Sequence, residues 1–355
     1  MNNAIKILLP VVISFIIGFI ITAPLSKLFI KYKMWKKHSR TLDNDLIDQN
    51  SPEFKKLHNS ADEISTPRVG GIIIWLSVLI TILGFYIISL FTISPLFDKL
   101  NFLSRSQTIV PLTAFILASL LGLGDDLLQV WGKGSYAKDA ISNRKIKVLL
   151  IIFISLLIGL WFTIKLGRSD IHIPFGEQWH LGIFFIPFFI MTTLAVFSSS
   201  VIDGIDGLAG GVMVPIFSAY AVIAYSHNQI DLSAFCSVIA GAILVFLWFN
   251  VPPAKFYMGE TGMLGLTVVL SVIAFLTDAV LILPLIAFPL VVTSFSVIVQ
   301  VLSFKYRNKK KVFLVTPIHH HFEAKGWSRA KITMRYWIVS IVCSTLGTIL
   351  VIISR

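Results

Sequence analysis

The sequence predicts an all-α, polytopic membrane protein of about ten transmembrane helices, with both termini outside the cytoplasm. Of the 355 residues, 56% are hydrophobic and only 14% are charged. Apolar runs of about 20 residues, the length that spans a bilayer as a helix, recur along the whole chain. A soluble domain of this size would lack enough polar side chains for its surface, so this class of protein is excluded.

Each apolar run is predicted as one spanning helix, and the first is too long for a signal peptide. The ninth run contains Pro284 and Pro289, which predict a bend that either shapes a lipid groove or is a simple packing kink. The polar stretches between runs are too short to form a second core, which predicts a single domain, 1–355. The runs lie near residues 4–30, 69–95, 108–124, 146–165, 182–200, 207–226, 232–250, 262–277, 279–303 and 333–353.

The net charge of +12 is segregated by loop, and this predicts the orientation of the chain. Lysine and arginine concentrate in the first, third and ninth loops, whereas the even-numbered loops contain few. Basic loops stay in the cytoplasm and face anionic lipid, so both termini are predicted outside and no nucleic-acid partner is expected. The basic residues of the three loops are Lys31, Lys33, Lys36, Lys37, Arg40, Lys55, Lys56, Arg68, Lys133, Lys138, Arg144, Lys145, Lys147, Lys305, Arg307, Lys309, Lys310, Lys311, Lys325, Arg329 and Lys331.

The two cysteines, Cys236 and Cys343, both lie inside apolar runs. This placement excludes a disulfide framework and a cysteine-based zinc site.

Four polar segments lie at the predicted cytoplasmic ends of the spans, which predicts a functional site on that face. Scattered polar residues would have fallen on both faces. The segments are GLGDDLLQVWGKG (122–134), SSSVIDGIDGLAGG (198–211), NVPPAKFYMGETGM (250–263) and TPIHHHF (316–322).

Five carboxylates in these segments are the candidates for chemistry. Asp125 and Asp126 point about 100° apart on a helix, so one would face a pocket while the other holds a lysine or a helix end. Asp203 and Asp206 share a face if their segment is helical, or one of them caps the next helix. Glu260 either caps a helix or ligates a metal ion. Acids clustered at a membrane face favour a site for Mg²⁺ and a phosphorylated substrate.

The three consecutive histidines, His319, His320 and His321, favour separate hydrogen bonds to phosphate oxygens. Neighbouring side chains diverge, which disfavours a shared zinc ion; a zinc site and a solvated loop remain as alternatives. Pro317 and Phe322 on either side predict a fixed loop.

These segments together resemble the polyprenyl-phosphate N-acetylhexosamine-1-phosphate transferases, and the resemblance extends from the amino end to the last helix. TPRVGG (66–71), GDD (124–126), DGIDGLAGG (203–211) and NVPPAKFYMGETG (250–262) are similar to the family at large. KVFLVTPIHHHFEAKGW, followed by a helix that begins near RYW, resembles the branch that makes the first lipid intermediate of peptidoglycan.

The resemblance implies a Mg²⁺-dependent transfer of phospho-N-acetylmuramoyl-pentapeptide from its UDP-sugar to undecaprenyl phosphate, with release of UMP. It implies an enzyme of the plasma membrane whose active site faces the cytoplasm, and it is compatible with a homodimer in the lipid bilayer. By resemblance, Asp125 and Asp126 are catalytic, the first as a proposed base for the lipid phosphate. Glu260 matches the Mg²⁺ ligand, and Tyr257 matches an aromatic residue that stacks on uracil. The other substrate-binding positions are Asn250, Asp203, Asp206, His319, His320 and His321.

The sequence departs from the family at several positions. Glu260 stands where the family has aspartate, Ser198–Ser200 replace asparagines, and Glu63 replaces a lysine. TPRVGG is more similar to the branch that transfers N-acetylglucosamine 1-phosphate, so a UDP-N-acetylglucosamine:undecaprenyl-phosphate transferase is the alternative. A membrane transporter is an alternative of a different class, although the charges here lie at helix ends and no internal repeat is clear.

Overall fold

A computed structural model describes residues 3–35, 65–91, 100–132 and 140–354. Glu63 and most basic residues of the first loop lie outside these ranges. Almost all regular structure in the described residues is helical, and ten helices are long and apolar enough to cross a membrane. The predicted all-α architecture with about ten candidate spans is therefore confirmed. The helices are α1 (Asn3–Lys31), α2 (Gly71–Phe91), α3 (Ile109–Trp131), α4 (Ala140–Lys165), α5 (Phe185–Ser198), α6 (Leu208–Ser226), α7 (Ile230–Asn250), α8 (Gly259–Leu276), α9 (Leu283–Ile286), α10 (Phe288–Tyr306), α11 (Ile318–Ala324) and α12 (Arg329–Ile353).

The centre of the bundle is α8, where every residue except Glu260 is buried. It packs against α2, α3 and α5, while α7 packs between α1 and α6. The outer helices α1, α10 and α12 expose many large apolar side chains, as expected for surfaces in contact with lipid.

Close approach of α8 to its neighbours depends on small residues. A Cβ atom on Gly122 of α3 would collide with the backbone of Glu260, and one on Gly71 of α2 would collide with the backbone of Gly262. A Cβ atom on Gly265 would likewise meet the hydroxyl of Ser119 in α3. The first turn of α8 is therefore held tightly against two other helices.

The predicted ninth span, 279–303, is divided in the structure. The short helix α9 ends at Ile286, Ala287 leaves helical geometry with φ −102° and ψ 30°, and α10 then continues to Tyr306. Each proline lies in the first turn of its helix, where the missing N–H is not needed. The predicted bend is thus present, but the helix that is long and apolar enough to cross a membrane is Phe288–Tyr306.

Both ends of the described chain lie on the face opposite the four polar segments. Lys6 near the start of α1 forms an ion pair of 2.6 Å with Asp231 at the start of α7, whose other end, Asn250, belongs to a polar segment. The carbonyl of Ser354 lies 3.2 Å from Nε2 of His172. His172 belongs to a two-stranded antiparallel hairpin, β1 (Asp170–His172) and β2 (Gln178–His180), between α4 and α5.

Candidate active site at one face of the bundle

The polar segments meet at one face of the bundle through backbone hydrogen bonds. In the TPRVGG segment, Gly70 and Gly71 donate their amides to the carbonyls of Tyr257 and Met258, each at 2.9 Å. The amide of Tyr257 in turn donates to the carbonyl of Pro67 at 2.8 Å. The connection between α7 and α8 is therefore hydrogen-bonded to the segment that leads into α2.

Asp126 is fully buried and caps α8 from the neighbouring helix α3. Its Oδ1 accepts the amide of Glu260 at 3.2 Å, and its Oδ2 accepts the amide of Thr261 at 2.8 Å. These amides belong to the first turn of α8, where no intrahelical acceptor is available. Asp126 therefore determines where the first turn of α8, and with it Glu260, lies relative to α3.

Asp125 points away from its neighbour and joins an ionic cluster. Its Oδ2 accepts hydrogen bonds from Nζ of Lys147 at 2.8 Å and from Nε2 of Gln129 at 2.9 Å. Lys147 also lies 3.0 Å from Oε1 of Glu260. The predicted divergence is confirmed: Asp126 holds a helix end, while Asp125 lines a groove and also holds Lys147. Sequence reasoning counted Lys147 only as a basic loop residue, although it lies at the start of an apolar run.

Glu260 does not cap α8, so that alternative is wrong. The N-cap position is Met258, which makes no side-chain cap bond, and the helix-start amides go to Asp126 instead. The Glu260 side chain turns to Lys147. Within the described ranges, its second oxygen, Oε2, is buried and has no hydrogen-bond partner. A buried carboxylate oxygen without a donor is a free position for a cation.

The donor set around Glu260 fits Mg²⁺. Glu260 and Asp125 supply hard carboxylate oxygens, and Mg²⁺ is usually held by one or two carboxylates, with water and substrate phosphates completing its shell. Across the part of the chain that the structure describes, no three His, Cys, Asp or Glu side chains converge as a ready metal site. Magnesium does not require such convergence, unlike structural zinc.

Asp203 and Asp206 lie in a non-helical turn before α6, and neither caps that helix. Both expectations for this pair are therefore wrong, because Gly207, with φ 76°, is the N-cap and α6 begins only at Leu208. Instead, Oδ2 of Asp203 accepts the amide of Gly259 at 3.0 Å, and Oδ2 of Asp206 accepts the amide of Ala254 at 3.2 Å. The pair positions the connection from α7 to α8.

Asn250 is buried, and both the oxygen and the nitrogen of its side-chain amide form hydrogen bonds within the protein. Its Oδ1 accepts the amide of Gly207 at 2.9 Å, and its Nδ2 donates to the carbonyl of Phe256 at 2.9 Å. Asn250 thereby links the turn before α6 to the segment that presents Tyr257, which is partly buried.

The histidines lie on the short helix α11, not in the fixed loop that the sequence predicts. Pro317 is its N-cap, and the amide of Ile318 donates to Oγ of Ser296 on α10 at 3.0 Å, which anchors the helix start. A short helix forms here because the ring of Pro317 fixes the φ angle of the N-cap residue. In addition, the hydroxyl of Ser296 on α10 accepts the amide at the helix start, which has no acceptor within the helix.

The predicted divergence of the three imidazoles holds only for His321, because the rings of His319 and His320 lie together with their centroids 4.4 Å apart. His319 and His320 are buried and point at Gly204, where an added Cβ would lie 2.8 and 2.9 Å from their Nε2 atoms. His321 points elsewhere, and its Nδ1 accepts the amide of Leu314 at 3.1 Å. Burial and the nearby Lys325 lower the pKa of His321. Two of the three histidines therefore face the turn that contains Asp203.

Glu323, one turn along α11, is a site residue that sequence reasoning missed. Its Oε2 lies 3.0 Å from Nδ1 of His320, and its Oε1 accepts Nε of Arg329 at 2.6 Å. Burial alone would raise the pKa of Glu323, but hydrogen bonds from His320 and Arg329 outweigh it, and the pKa is lowered. The i, i+3 spacing of His320 and Glu323 was the available signal.

Two apolar grooves reach different parts of the candidate site. A groove of about 220 Å³ is lined by Leu121, Leu128 and Leu150 and ends at Asp125 and Lys147. A larger groove of about 420 Å³ runs between α5 and the break from α9 to α10. The lining of the larger groove includes Pro284 and Ala287 at the break and Ser198 and Ser199, shortly before Asp203.

We predict that Asp126→Asn destabilises the protein more than Asp125→Asn. Both oxygens of Asp126 accept backbone amides, so an asparagine NH₂ would oppose an N–H donor in a fully buried place, at a cost of about 1–3 kcal/mol. Asp125 is partly exposed, and its asparagine variant keeps an acceptor for Lys147. Thermal unfolding in detergent at neutral pH measures the difference. Equal unfolding midpoints for the two variants would contradict the capping role.

Comparison with known proteins identifies the family of the chain. Residues 108–278 match the family model described as glycosyl transferase family 4. The chain is 33% identical to phospho-N-acetylmuramoyl-pentapeptide-transferase of Clostridium perfringens (strain 13 / Type A), over 95% of this chain and 96% of the relative. The proteins of the same name from Listeria monocytogenes and Geobacillus thermodenitrificans are 33% and 32% identical, over 96% and 95% of this chain and 97% and 96% of the relatives. The chain therefore belongs to the phospho-N-acetylmuramoyl-pentapeptide-transferase family.

Proposed function

We propose that the protein transfers phospho-N-acetylmuramoyl-pentapeptide from its UDP-sugar to undecaprenyl phosphate and releases UMP. The observation that carries the proposal is the joining of Asp125, Lys147 and Glu260 in one ionic cluster beside an apolar groove. The buried His319 and His320 face the turn with Asp203, whose carboxylate accepts the amide of Gly259, the residue before Glu260. The two carboxylates of the cluster could hold Mg²⁺, through which an anionic nucleotide-sugar donor would bind. The grooves support binding of a lipid acceptor.

The chemical task assigned to the site is to bring two anions together. A lipid phosphate with a second pKa of about 6 is largely dianionic at neutral pH, so it scarcely needs a base to deprotonate it. When bound at Glu260, Mg²⁺ would offset charge on the diphosphate and on the departing UMP. Lys147 supplies a positive charge beside Asp125, and His319 and His320 supply ring nitrogens for phosphate oxygens. Asp203, Asp206 and Asn250 hold the connection that presents Tyr257 to the uracil.

We assign the polyprenyl chain to the groove at the break between α9 and α10. Its wall is almost entirely apolar, and its lining reaches Ser198 and Ser199, a few residues before Asp203. A lipid tail in this groove would bring its phosphate toward the acidic cluster. The two prolines at the break therefore receive a functional role in the proposal.

The proposed orientation places the site at the cytoplasmic face of the plasma membrane, where a soluble nucleotide sugar and a membrane lipid meet. The basic residues of the first, third and ninth loops support this orientation. All the site residues come from one chain, so the proposal does not require a second copy; a homodimer stays a prediction of the resemblance.

The orientation predicts that both termini lie outside the cytoplasm. A reporter enzyme that is active only outside the cytoplasm should be active when fused after Arg355, and one that is active only in the cytoplasm should be silent there. A fusion in the loop after Tyr306 is the control and should behave in the opposite way. The reverse pattern would refute the proposed location of the site.

The reaction itself predicts a labelled lipid product. Purified protein, undecaprenyl phosphate, Mg²⁺ and radiolabelled UDP-N-acetylmuramoyl-pentapeptide should yield butanol-extractable label together with UMP. Radiolabelled UDP-N-acetylglucosamine in a parallel reaction should yield none. Label only from the second donor would assign the protein to the N-acetylglucosamine branch, and label from neither would reject the proposal.

We predict that Glu260→Gln raises the Mg²⁺ concentration for half-maximal rate by more than about tenfold. Glutamine preserves size but removes a charged ligand, a loss of at least about 1.4 kcal/mol. Rates measured against Mg²⁺ concentration for the wild type and the variant give the shift. Glu177→Gln, on the exposed hairpin of the opposite face, is the matched control and should leave the curve unchanged. Superimposed curves for wild type and Glu260→Gln would show that another group holds the ion.

We also predict that Glu323→Gln weakens use of the UDP-sugar by about tenfold or more. A neutral amide cannot accept strongly from both His320 and Arg329, and hydrogen bonds to charged groups contribute about 1.5–3 kcal/mol. The change should appear in KM for the UDP-sugar and leave KM for undecaprenyl phosphate unaltered. Equal changes in both KM values, or none, would contradict a role in orienting His320.

The lowered pKa of Glu323 adds a pH dependence to the same comparison. When folding lowers the pKa of a carboxyl group, the group stabilises the protein at any pH above its ordinary pKa of 4.5. This stabilisation is lost as the pH falls through the lowered pKa. The wild type should therefore lose its advantage in unfolding temperature over Glu323→Gln as the pH is lowered below about 4.5. A constant difference between pH 7 and pH 4 would contradict this assignment.

A further inference from the structure

A separate pocket lies on the outer surface of the bundle, where α10, α11 and α12 meet. It has a volume of about 230 Å³ and is almost entirely apolar. Phe288 and Val339 in its wall are exposed, so the pocket opens outward, toward the lipid in a membrane. We call it the Trp327 pocket; its wall includes Phe288, Val292, Ile318, Phe322, Trp327 and Val339.

Two positive charges lie at the mouth of the Trp327 pocket. The guanidinium of Arg335, which lines the pocket, lies 4.4 Å from the centre of the Trp327 ring, and Nζ of Lys331 lies 4.9 Å from it. The Trp327 ring also stacks on Phe322 at 4.8 Å. Neither Arg335 nor Lys331 forms an ion pair with a carboxylate among the described residues, since Glu323 nearby is taken by Arg329 and His320. The mouth therefore holds positive charge that no described acid neutralises.

The position along the chain places this charge at the membrane surface. Trp327 lies two residues before the start of α12, and Lys331 and Arg335 lie in the first two turns of that helix, within about 9 Å of its start at 1.5 Å per residue. Tryptophan and long basic side chains typically mark the ends of membrane spans, where the charged group extends to the level of the lipid head groups.

From this geometry we propose that the Trp327 pocket binds an anionic phospholipid of the surrounding bilayer. One acyl chain fills the apolar pocket between α10 and α12, and the phosphate lies between Arg335 and Lys331. Charge complementarity decides the occupant, because a neutral apolar partner would leave both cations without an anion, and a soluble anion would leave the apolar wall exposed.

The Trp327 pocket is distinct from the groove assigned to the polyprenyl chain. The two lie on different sides of α10: Phe288, Pro289 and Val292 line the pocket, whereas Leu290, Val291 and Ser294 line the groove. A lipid in the pocket would also touch α11 from outside, through Ile318 and Phe322, while His319 and His320 of the same helix face Gly204. The bound phospholipid therefore supports the helix that carries the histidines.

The test measures lipid binding by native mass spectrometry on the full-length protein, stripped of lipid in a nonionic detergent. No nucleotide sugar is present, so the outcome is independent of the proposed reaction. Phosphatidylglycerol should bind to one site per chain more tightly than phosphatidylcholine with the same acyl chains. Arg335→Gln combined with Lys331→Gln should lower the affinity for phosphatidylglycerol by about thirtyfold. Each basic residue near an anionic lipid contributes about 1 kcal/mol to binding, or about fivefold in affinity.

Two further variants separate the pocket from general charge and from misfolding. Lys309→Gln combined with Lys310→Gln removes the same charge from an exposed turn and should leave the affinity unchanged. Val292→Trp fills the pocket without altering charge and should abolish the tight site, with the unfolding midpoint as the check on folding.

Four results would overturn the proposal. They are unchanged phosphatidylglycerol affinity in the Arg335/Lys331 variant, an equal loss in the Lys309/Lys310 variant, equal binding of phosphatidylcholine, and displacement of phosphatidylglycerol by inorganic phosphate or by equimolar undecaprenyl phosphate. Displacement by undecaprenyl phosphate would assign the pocket to the polyprenyl substrate.

Discussion

The arrangement of the candidate site depends on one buried carboxylate, that of Asp126. Helix α8 begins inside the protein, where water is not available for its first amides, so another element must supply acceptors. Asp126 supplies two of them from α3, at 3.2 and 2.8 Å. The first turn of α8 carries Glu260, and the same cap therefore determines the distance from Glu260 to Asp125 and Lys147. Close packing of Gly122 against this turn adds a steric constraint in the same place.

The ionic cluster is built on this cap. Asp125 and Glu260 come from two helices that Asp126 joins, and Lys147 on α4 bridges their carboxylates. A partly buried lysine between two acids offsets their mutual repulsion and keeps both close to the membrane surface at lower cost. The arrangement leaves Oε2 of Glu260 buried with no hydrogen-bond partner in the described chain. The other oxygen of Glu260 is held by its contact with a lysine from a third helix.

The helix α11 connects the two other features of this face. On one side, His319 and His320 approach Gly204 in the turn with Asp203, and Glu323 holds His320 in place. On the other side, Ile318 and Phe322 line an apolar pocket that opens outward. A helix of only seven residues has little stability of its own, so its position depends on what packs against both sides. This dependence is the physical link between the proposed lipid site and the histidines.

The amino-acid sequence by itself determined the number of candidate spans, the gathering of the polar segments at one face and the family. These features follow from the length and hydrophobicity of each apolar run, which must match the thickness of the bilayer, and from short motifs whose residues are contiguous. The divergence of Asp125 from Asp126 was also predictable, because it depends only on helix geometry. Local geometry likewise predicted a bend near Pro284 and Pro289.

Only the tertiary structure decided which partner each polar group has. Lys147 is 22 residues from Asp125 and far from Glu260 in sequence, yet it contacts both. Asp203 and Asp206 do not cap the helix that follows them, because their carboxylates accept amides from the connection between α7 and α8 instead. The histidines form a helix and not a loop, because α10 supplies an acceptor at Ser296. In each case the deciding partner lies on another element, and its distance depends on helix packing that no local pattern encodes.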